Sequence, residues 1–163
     1  MIIAAMLATG QIGRAQTRDG SKVTVTYDKF ENRTTTNTEL SAALNIKNAS
    51  SVEILGISQV KGSNPRAANN CAFCIYIRPA KIEGPQELRI IIDDGPVIGP
   101  LTSGDPYISG RDEGYLVFIS KSTLATVAAG RKVEMQLGGT GGVEFSLTAA
   151  QLQGLRELYS TIN

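Results

Sequence analysis

Apolar and polar residues alternate along much of this chain, and this period of two constrains its fold more than any other sequence feature. Val23, Val25 and Tyr27, for example, are separated by polar residues. Successive side chains of a β-strand point to opposite faces, so such alternation is typical of a strand with one buried face. Alternation or a short apolar run predicts further strands at 40–46, 52–60, 71–77, 88–92, 115–119, 133–137 and 143–147.

Two helices are predicted among these strands. Ser120 or Ser122 is placed to cap a short helix that Gly130 ends. The last helix begins with Thr148 at the N-cap and Gln151 three residues later, which is the spacing of a capping box. An apolar stripe follows at helical spacing and predicts a helix that docks on the domain's own core: Leu152, Leu155, Leu158, Tyr159 and Ile162.

The order of these elements predicts a fold that is mostly β. Strands and helices do not alternate regularly, which disfavours a doubly wound α/β fold. We expect an antiparallel β-sandwich, or a partly open barrel, with one short helix and the amphipathic C-terminal helix. The glycine-rich stretch 138–142 joins two alternating strands and predicts a β-hairpin, whereas 61–70 and 95–114 are expected to be long loops.

Composition limits what the chain can do. Its 163 residues match a single domain, with 16 Lys and Arg against 15 Asp and Glu, so bulk charge does not favour a nucleic-acid partner. The chain has no His. Catalytic triads and dyads that need an imidazole, and metal sites ligated by His, are therefore excluded.

The first fifteen residues are similar to a signal peptide. An apolar run at 2–8 is followed by Gly13, Arg14 and Ala15, with small residues at the −3 and −1 positions of a cut after Ala15. No Lys or Arg precedes the apolar run, and the run is too short to span a bilayer. We therefore expect a signal peptide at 1–15 and one β-rich domain at 16–163, with a periplasmic or secreted location. If the segment is not a signal, the location is cytoplasmic.

Cys71 and Cys74 are the only cysteines and form a Cys-x-x-Cys motif. Three hypotheses remain open for the pair: a local disulfide, two separate thiols, or a thiol-redox or metal-binding site. A redox site requires the first thiol at a helix N-terminus, but this motif continues into a predicted strand. Residues three apart on a regular strand point to opposite faces, so a bridge needs a turn or bulge.

Carboxylates in the predicted turns are the remaining candidates for chemistry. Pairs of carboxylates can bind calcium or hydrolyse glycosides without a His, although the spacing matches no EF-hand and selects no catalytic pair. We weigh these functions against ordinary solvated turn residues. The weak candidates are Asp93, Asp94, Asp105, Asp112 and Glu113.

A resemblance to known proteins is carried by seven segments whose order and spacing agree: 25–35, 90–95, 103–105, 116–120, 143–148, 151–152 and 155–158. With these segments the chain resembles a group of small bacterial exported proteins to which no activity is assigned. The resemblance implies bacterial origin, export and a compact β-rich domain, and it assigns no functional residue. The glycine-rich loop at 138–142 and the region 61–74 depart from the pattern.

Together these features favour recognition over catalysis. We expect a non-enzymatic module that binds an unknown protein or a component of the cell envelope, with no cofactor and no nucleic-acid partner. No catalytic residue, metal ligand or transmembrane segment of the mature chain is predicted. A thiol-redox or metal-binding protein using Cys71 and Cys74, and a small hydrolase using loop carboxylates, are the alternatives.

Overall fold

The structure is a computed structural model that describes residues 12–16, 22–78, 86–104, 107–109, 112–139 and 141–163. Antiparallel strands form two sheets that pack face to face. The predicted antiparallel β-sandwich is thereby confirmed, and the described strands do not close into a barrel.

The larger sheet has eight strands. Its described strands are β1 (Ile12–Gln16), β2 (Lys22–Asp28), β3 (Arg33–Thr38), β4 (Ser41–Ala42), β6 (Ser51–Lys61), β7 (Asn70–Arg78), β10 (Tyr107–Ser109) and β11 (Asp112–Ser120). Their order across the sheet is β1-β2-β3-β6-β7-β11-β10, and the short β4 pairs with β6 beyond the end of β3.

The smaller sheet has five strands in the order β5-β13-β12-β8-β9. Its centre is the β12–β13 hairpin that closes through the glycine-rich turn, as the sequence predicts. The strands are β5 (Leu44–Lys47), β8 (Glu87–Ile92), β9 (Ile98–Thr102), β12 (Val133–Leu137) and β13 (Val143–Ser146).

Both predicted helices form, and both are capped as their sequences indicate. Helix α1 (Lys121–Ala129) begins after Ser120, whose side chain accepts a hydrogen bond from the backbone of Thr123, and Gly130 ends it. Helix α2 (Ala149–Ile162) begins with the reciprocal capping box of Thr148 and Gln151. A short 3-10 turn also forms at Pro65–Ala67.

One apolar core joins the two sheets and the two helices. The inner face of the larger sheet meets the smaller sheet over β6, β7 and β11, while α2 covers β2, β3 and β6. The apolar stripe of α2 is directed into this core, so the prediction that the helix docks on its own domain is confirmed.

The central strands β6 and β7 are also partly buried on their outer face. A second apolar cluster lies there, formed by Ile57, Ala72 and Cys74.

Two predictions about connections are wrong. The alternation at 40–46 is not one strand, because the chain passes at the buried Ala43 from β4 in the larger sheet to β5 in the smaller sheet. The stretch 95–114 is not one long loop, because it contains β9, β10 and the start of β11. Glycine and proline within β9 hide that strand from an analysis of alternation.

The predicted signal peptide lies largely outside the described residues. The described part of it, Ile12 onward, belongs to β1, which pairs with β2 over five residue pairs. Cleavage after Ala15 stays a prediction. Within the part of the chain that the structure describes, no helix has the length and apolarity needed to cross a bilayer.

Candidate recognition site

The β2–β3 hairpin ends in a turn that is held by its own side chains. Asp28 accepts hydrogen bonds on one carboxylate oxygen from the backbone N–H groups of Phe30 at 2.8 Å and Glu31 at 3.2 Å. An aspartate that bonds to the backbone two residues further on forms an Asx turn, which fixes the local backbone. Phe30 is therefore presented by a defined loop.

A second set of contacts fixes the end of this turn to the larger sheet. Asn32 has a positive φ of 49°, a conformation that Asn tolerates well. Its side chain accepts a hydrogen bond from the Tyr27 hydroxyl at 2.9 Å, and its carbonyl accepts one from Gly62 N–H at 2.7 Å. Thr34 also donates to the Gly62 carbonyl at 2.6 Å. The turn is thus attached to the end of β6.

Phe30 itself is held out into solvent. The residue is 89% exposed, whereas Phe73 and Phe145 are almost completely buried in the core. The ammonium of Lys29 lies 5.1 Å from the centre of the Phe30 ring, a cation–π distance. A fully exposed aromatic on a rigid turn can enter a partner's pocket with little loss of conformational entropy. We call Lys29–Glu31 the aromatic tip.

A groove lies at the opposite end of the same hairpin. It has a volume of about 300 Å³, and its buried apolar wall is formed by Ile54, Leu147 and Leu155. The first turns of α2 form one side, and the segment between β3 and β4 forms the other. We call this feature the helix groove.

A glycine lets helix α2 pack closely against β6 beside the helix groove. Gly56 on β6 lies so close to α2 that a Cβ atom there would stand 2.7 Å from Leu155 Cδ2. The polar groups are mostly paired within the protein: Gly56 N–H donates to Thr38 Oγ1 at 2.8 Å, and Gln151 Nε2 donates to the Ser41 carbonyl at 2.9 Å. The groove therefore offers an apolar surface rather than unpaired hydrogen-bonding groups.

The outer face of the smaller sheet holds a second cavity of about 350 Å³, and its character is different. Lys47 and Glu144 face each other across β5 and β13 with 2.7 Å between Nζ and Oε2. This contact raises the pKa of Lys47 and lowers the pKa of Glu144. Because the two charges form an ion pair, this outer face of the smaller sheet is typical of a solvated sheet surface.

The described loop carboxylates among the weak site candidates lie in separate parts of the fold and do not form one site. Asp93 and Asp94 form the turn after β8. Glu113 lies at the start of β11, where it accepts a hydrogen bond at 2.6 Å from the hydroxyl of the buried Tyr115. Asp105 and the side chain of Asp112 lie outside what the structure describes.

Asp93 has a structural role in its turn. One carboxylate oxygen accepts hydrogen bonds from the backbone N–H of Lys132 at 2.8 Å and of Arg131 at 3.0 Å. These two bonds lower the pKa of Asp93. Asp94 pairs with the Lys132 ammonium at 2.8 Å. Among the residues whose side chains are described, no three potential ligands come together as a metal site would require.

The hypothesis of a disulfide between Cys71 and Cys74 is wrong. Both thiols are free and buried, and they lie on opposite faces of β7 because the strand continues regularly through the motif. Burial raises the pKa of both thiols, that of Cys74 to about 11. A raised thiol pKa leaves little thiolate at neutral pH, which is the opposite of what a redox centre needs.

The sequence does not indicate the aromatic tip as a site. Asp28 followed by four mostly polar residues between two alternating segments could have indicated a hairpin turn. Nothing in that pattern reveals that Phe30 would point outward, since a phenylalanine is on average a core residue.

Comparison of the chain with models of known protein families finds no match. Comparisons with curated proteins and with solved structures also find none.

Proposed function

We propose that this chain is an exported bacterial module that recognises a partner protein through its aromatic tip, without catalysing a reaction. The observation that carries the proposal is Phe30, 89% exposed on a turn that is fixed by Asp28 and Asn32. The bacterial origin and the export in this proposal are based on the resemblance to small bacterial exported proteins and on the signal-like segment at 1–15.

The energetics of an exposed aromatic support recognition. A phenylalanine side chain that stays exposed adds no hydrophobic stabilisation to the folded chain. Its burial in a partner contributes roughly 1.5–3 kcal/mol to the free energy of binding. Aromatic residues are among those enriched in protein interfaces, particularly at their buried centres. The hydrogen bonds around the turn also reduce the ordering that binding would require.

Photo-crosslinking tests this proposal in cells that produce the chain. A photoreactive phenylalanine analogue is placed at position 30 and, in a separate protein, at Val97, which is 56% exposed on the connection between β8 and β9. We expect a discrete light-dependent adduct from position 30 that is absent from position 97. No adduct at position 30, or the same adducts from both positions, would overturn the proposal.

A catalytic assay tests the non-enzymatic part separately. The purified chain is incubated with generic esterase, glycosidase and phosphatase substrates. We expect no turnover above that of buffer. Reproducible turnover that is lost in a Glu113→Gln variant would favour the hydrolase alternative.

A further inference from the structure

We propose that the helix groove of one copy of this chain takes Phe30 of a second copy, so that the chain assembles head to tail. This inference rests on the proposed function, because it names the partner of the aromatic tip as another copy of the same chain. The groove and the tip are the two sides of one contact.

The two surfaces cannot meet within one molecule. Lys22 and Thr38 line the groove at the open end of the β2–β3 hairpin, while Phe30 lies beyond the last pair, Asp28 and Arg33. A strand of this length spans roughly 20 Å at the usual rise per residue. The groove, which no described residue fills, and the exposed Phe30 therefore lie at opposite ends of the β2–β3 hairpin.

The sizes of the two surfaces agree. The helix groove holds about 300 Å³. An apolar protein cavity of roughly 150 Å³ is large enough for benzene, so the groove has room for a phenylalanine ring and part of its backbone. Its wall of Ile54, Leu147 and Leu155 offers the apolar contact that the ring lacks in the single copy.

Each of the two surfaces carries one positive and one negative side chain, so the surfaces can dock in an orientation that pairs opposite charges. Lys29 and Glu31 flank Phe30 on the tip, and Lys22 and Glu39 lie on the exposed rim of the groove. Lys29 of one copy can thus face Glu39 of the next, and Glu31 can face Lys22. Glu31 already contacts Arg33 at 3.2 Å, but this pair is partly exposed and surface pairs of that kind contribute little.

The geometry also determines the kind of assembly. Because the tip and the groove are different surfaces, the contact is heterologous, and each added copy leaves one tip and one groove free. Such contacts produce rings or open chains rather than a closed dimer. A contact made by one aromatic side chain and its two flanking charged residues is small and therefore weak. We expect a dissociation constant between two copies on the order of 0.1–1 mM.

Analytical ultracentrifugation of the full chain, up to about 2 mM, tests the proposal. We expect the average mass of the wild-type chain to rise continuously with concentration. Phe30→Ala removes the tip, and Ala150→Phe fills the groove from an exposed position on α2. Each variant should associate at least about tenfold more weakly than the wild type.

Two matched controls separate the contact from general surface effects. Val97→Ala removes an exposed apolar side chain elsewhere, and Ala149→Phe adds the same ring at a neighbouring exposed position that does not line the groove. Both should associate like the wild type. Circular dichroism and thermal melting establish that all four variants are folded.

Mixing the two defective variants gives the most specific result. The Phe30→Ala chain keeps an intact groove and the Ala150→Phe chain keeps an intact tip. An equimolar mixture should therefore form a one-to-one dimer and nothing larger.

Three results would overturn the proposal: a wild-type chain that stays monomeric at 2 mM, association that neither variant weakens, or a mixture that forms no dimer. If the wild type is monomeric but position 30 crosslinks a different protein in cells, the proposed function stands and only the identity of the partner is wrong. If position 30 crosslinks nothing, the proposed function fails as well.

Discussion

Leu155 lies directly over Gly56, so that a Cβ atom at position 56 would stand 2.7 Å from Leu155 Cδ2 and 2.8 Å from the Cδ2 of Leu158. Helix α2 therefore approaches the larger sheet as closely as a glycine allows. This approach sets the position of the first turns of α2, and with it one wall of the helix groove.

Gly56→Ala should destabilise the protein because its methyl group overlaps two buried leucines. Overpacking of this kind typically costs about 1–3 kcal/mol. Gly139→Ala is the matched control, since a Cβ atom at position 139 meets nothing within 4 Å. Urea unfolding of both variants measures the effect, and equal stabilities would contradict the close packing of α2 on β6.

Gln151→Ala should also destabilise the protein. The Gln151 side chain accepts a hydrogen bond from Thr148 N–H at 2.8 Å and donates to the Ser41 carbonyl at 2.9 Å, so it both caps α2 and ties the helix to β4. Loss of these bonds is expected to cost about 1–3 kcal/mol. Gln153→Ala, the same change on the same helix, removes only a contact with Glu157 and should cost less. Thermal melting compares the stabilities of the Gln151→Ala and Gln153→Ala variants. An equal loss of stability in both would contradict the role of Gln151.

The capping box shows why some parts of this fold can be predicted from sequence. Thr148 and Gln151 interact across three residues, and their effect on the backbone is local. The alternation in β2, β7 and β12 is equally local, and each of these strands forms as predicted.

Features that depend on distant partners were not predictable in the same way. The chain changes sheets at Ala43 because β4 pairs with β6 while β5 pairs with β13, about a hundred residues along the chain. The helix groove likewise exists only because Gly56 and α2 meet in three dimensions. The exposure of Phe30 depends on there being no element of the described fold that covers the turn.

Asp93→Asn should lower stability at neutral pH and much less at low pH. Hydrogen bonds from the backbones of Lys132 and Arg131 lower the pKa of Asp93 in the folded protein. The stabilisation is thus present above the ordinary carboxyl pKa of about 4 and is lost as pH falls through the lower folded value. Asn keeps an acceptor oxygen and tolerates the positive φ of 50° at this position.

Thermal melting of the wild type and the Asp93→Asn variant, at neutral pH and near pH 2, measures this dependence. The difference in Tm between the wild type and the Asp93→Asn variant should be smaller near pH 2 than at neutral pH. A difference that stays constant or widens would contradict the assignment of the effect to the Asp93 carboxylate.

Both cysteines should react as free but protected thiols. With the pKa of Cys74 raised to about 11 by burial, the thiolate fraction at neutral pH is roughly 100-fold below that of an unperturbed thiol. We expect slow labelling of the native chain and rapid labelling of two thiols after denaturation without reductant. Failure to label the denatured chain would indicate the bridge that the structure lacks.

A chain that starts at Gln16 should fold. The described core residues begin at Val23, and within the described part of the chain β1 pairs only with β2, at the edge of the larger sheet. The truncated chain should therefore melt cooperatively and keep its far-UV circular dichroism. If the truncated chain is unfolded, cleavage after Ala15 cannot yield the mature protein.

The affinity of the chain for the protein captured at position 30 measures whether the aromatic tip carries recognition. Isothermal titration calorimetry compares the wild type, Phe30→Ala and Val97→Ala with the purified partner. We predict at least a tenfold weaker affinity for Phe30→Ala and less than about a twofold change for Val97→Ala. Equal affinities of the wild type and Phe30→Ala would show that the aromatic tip does not carry recognition.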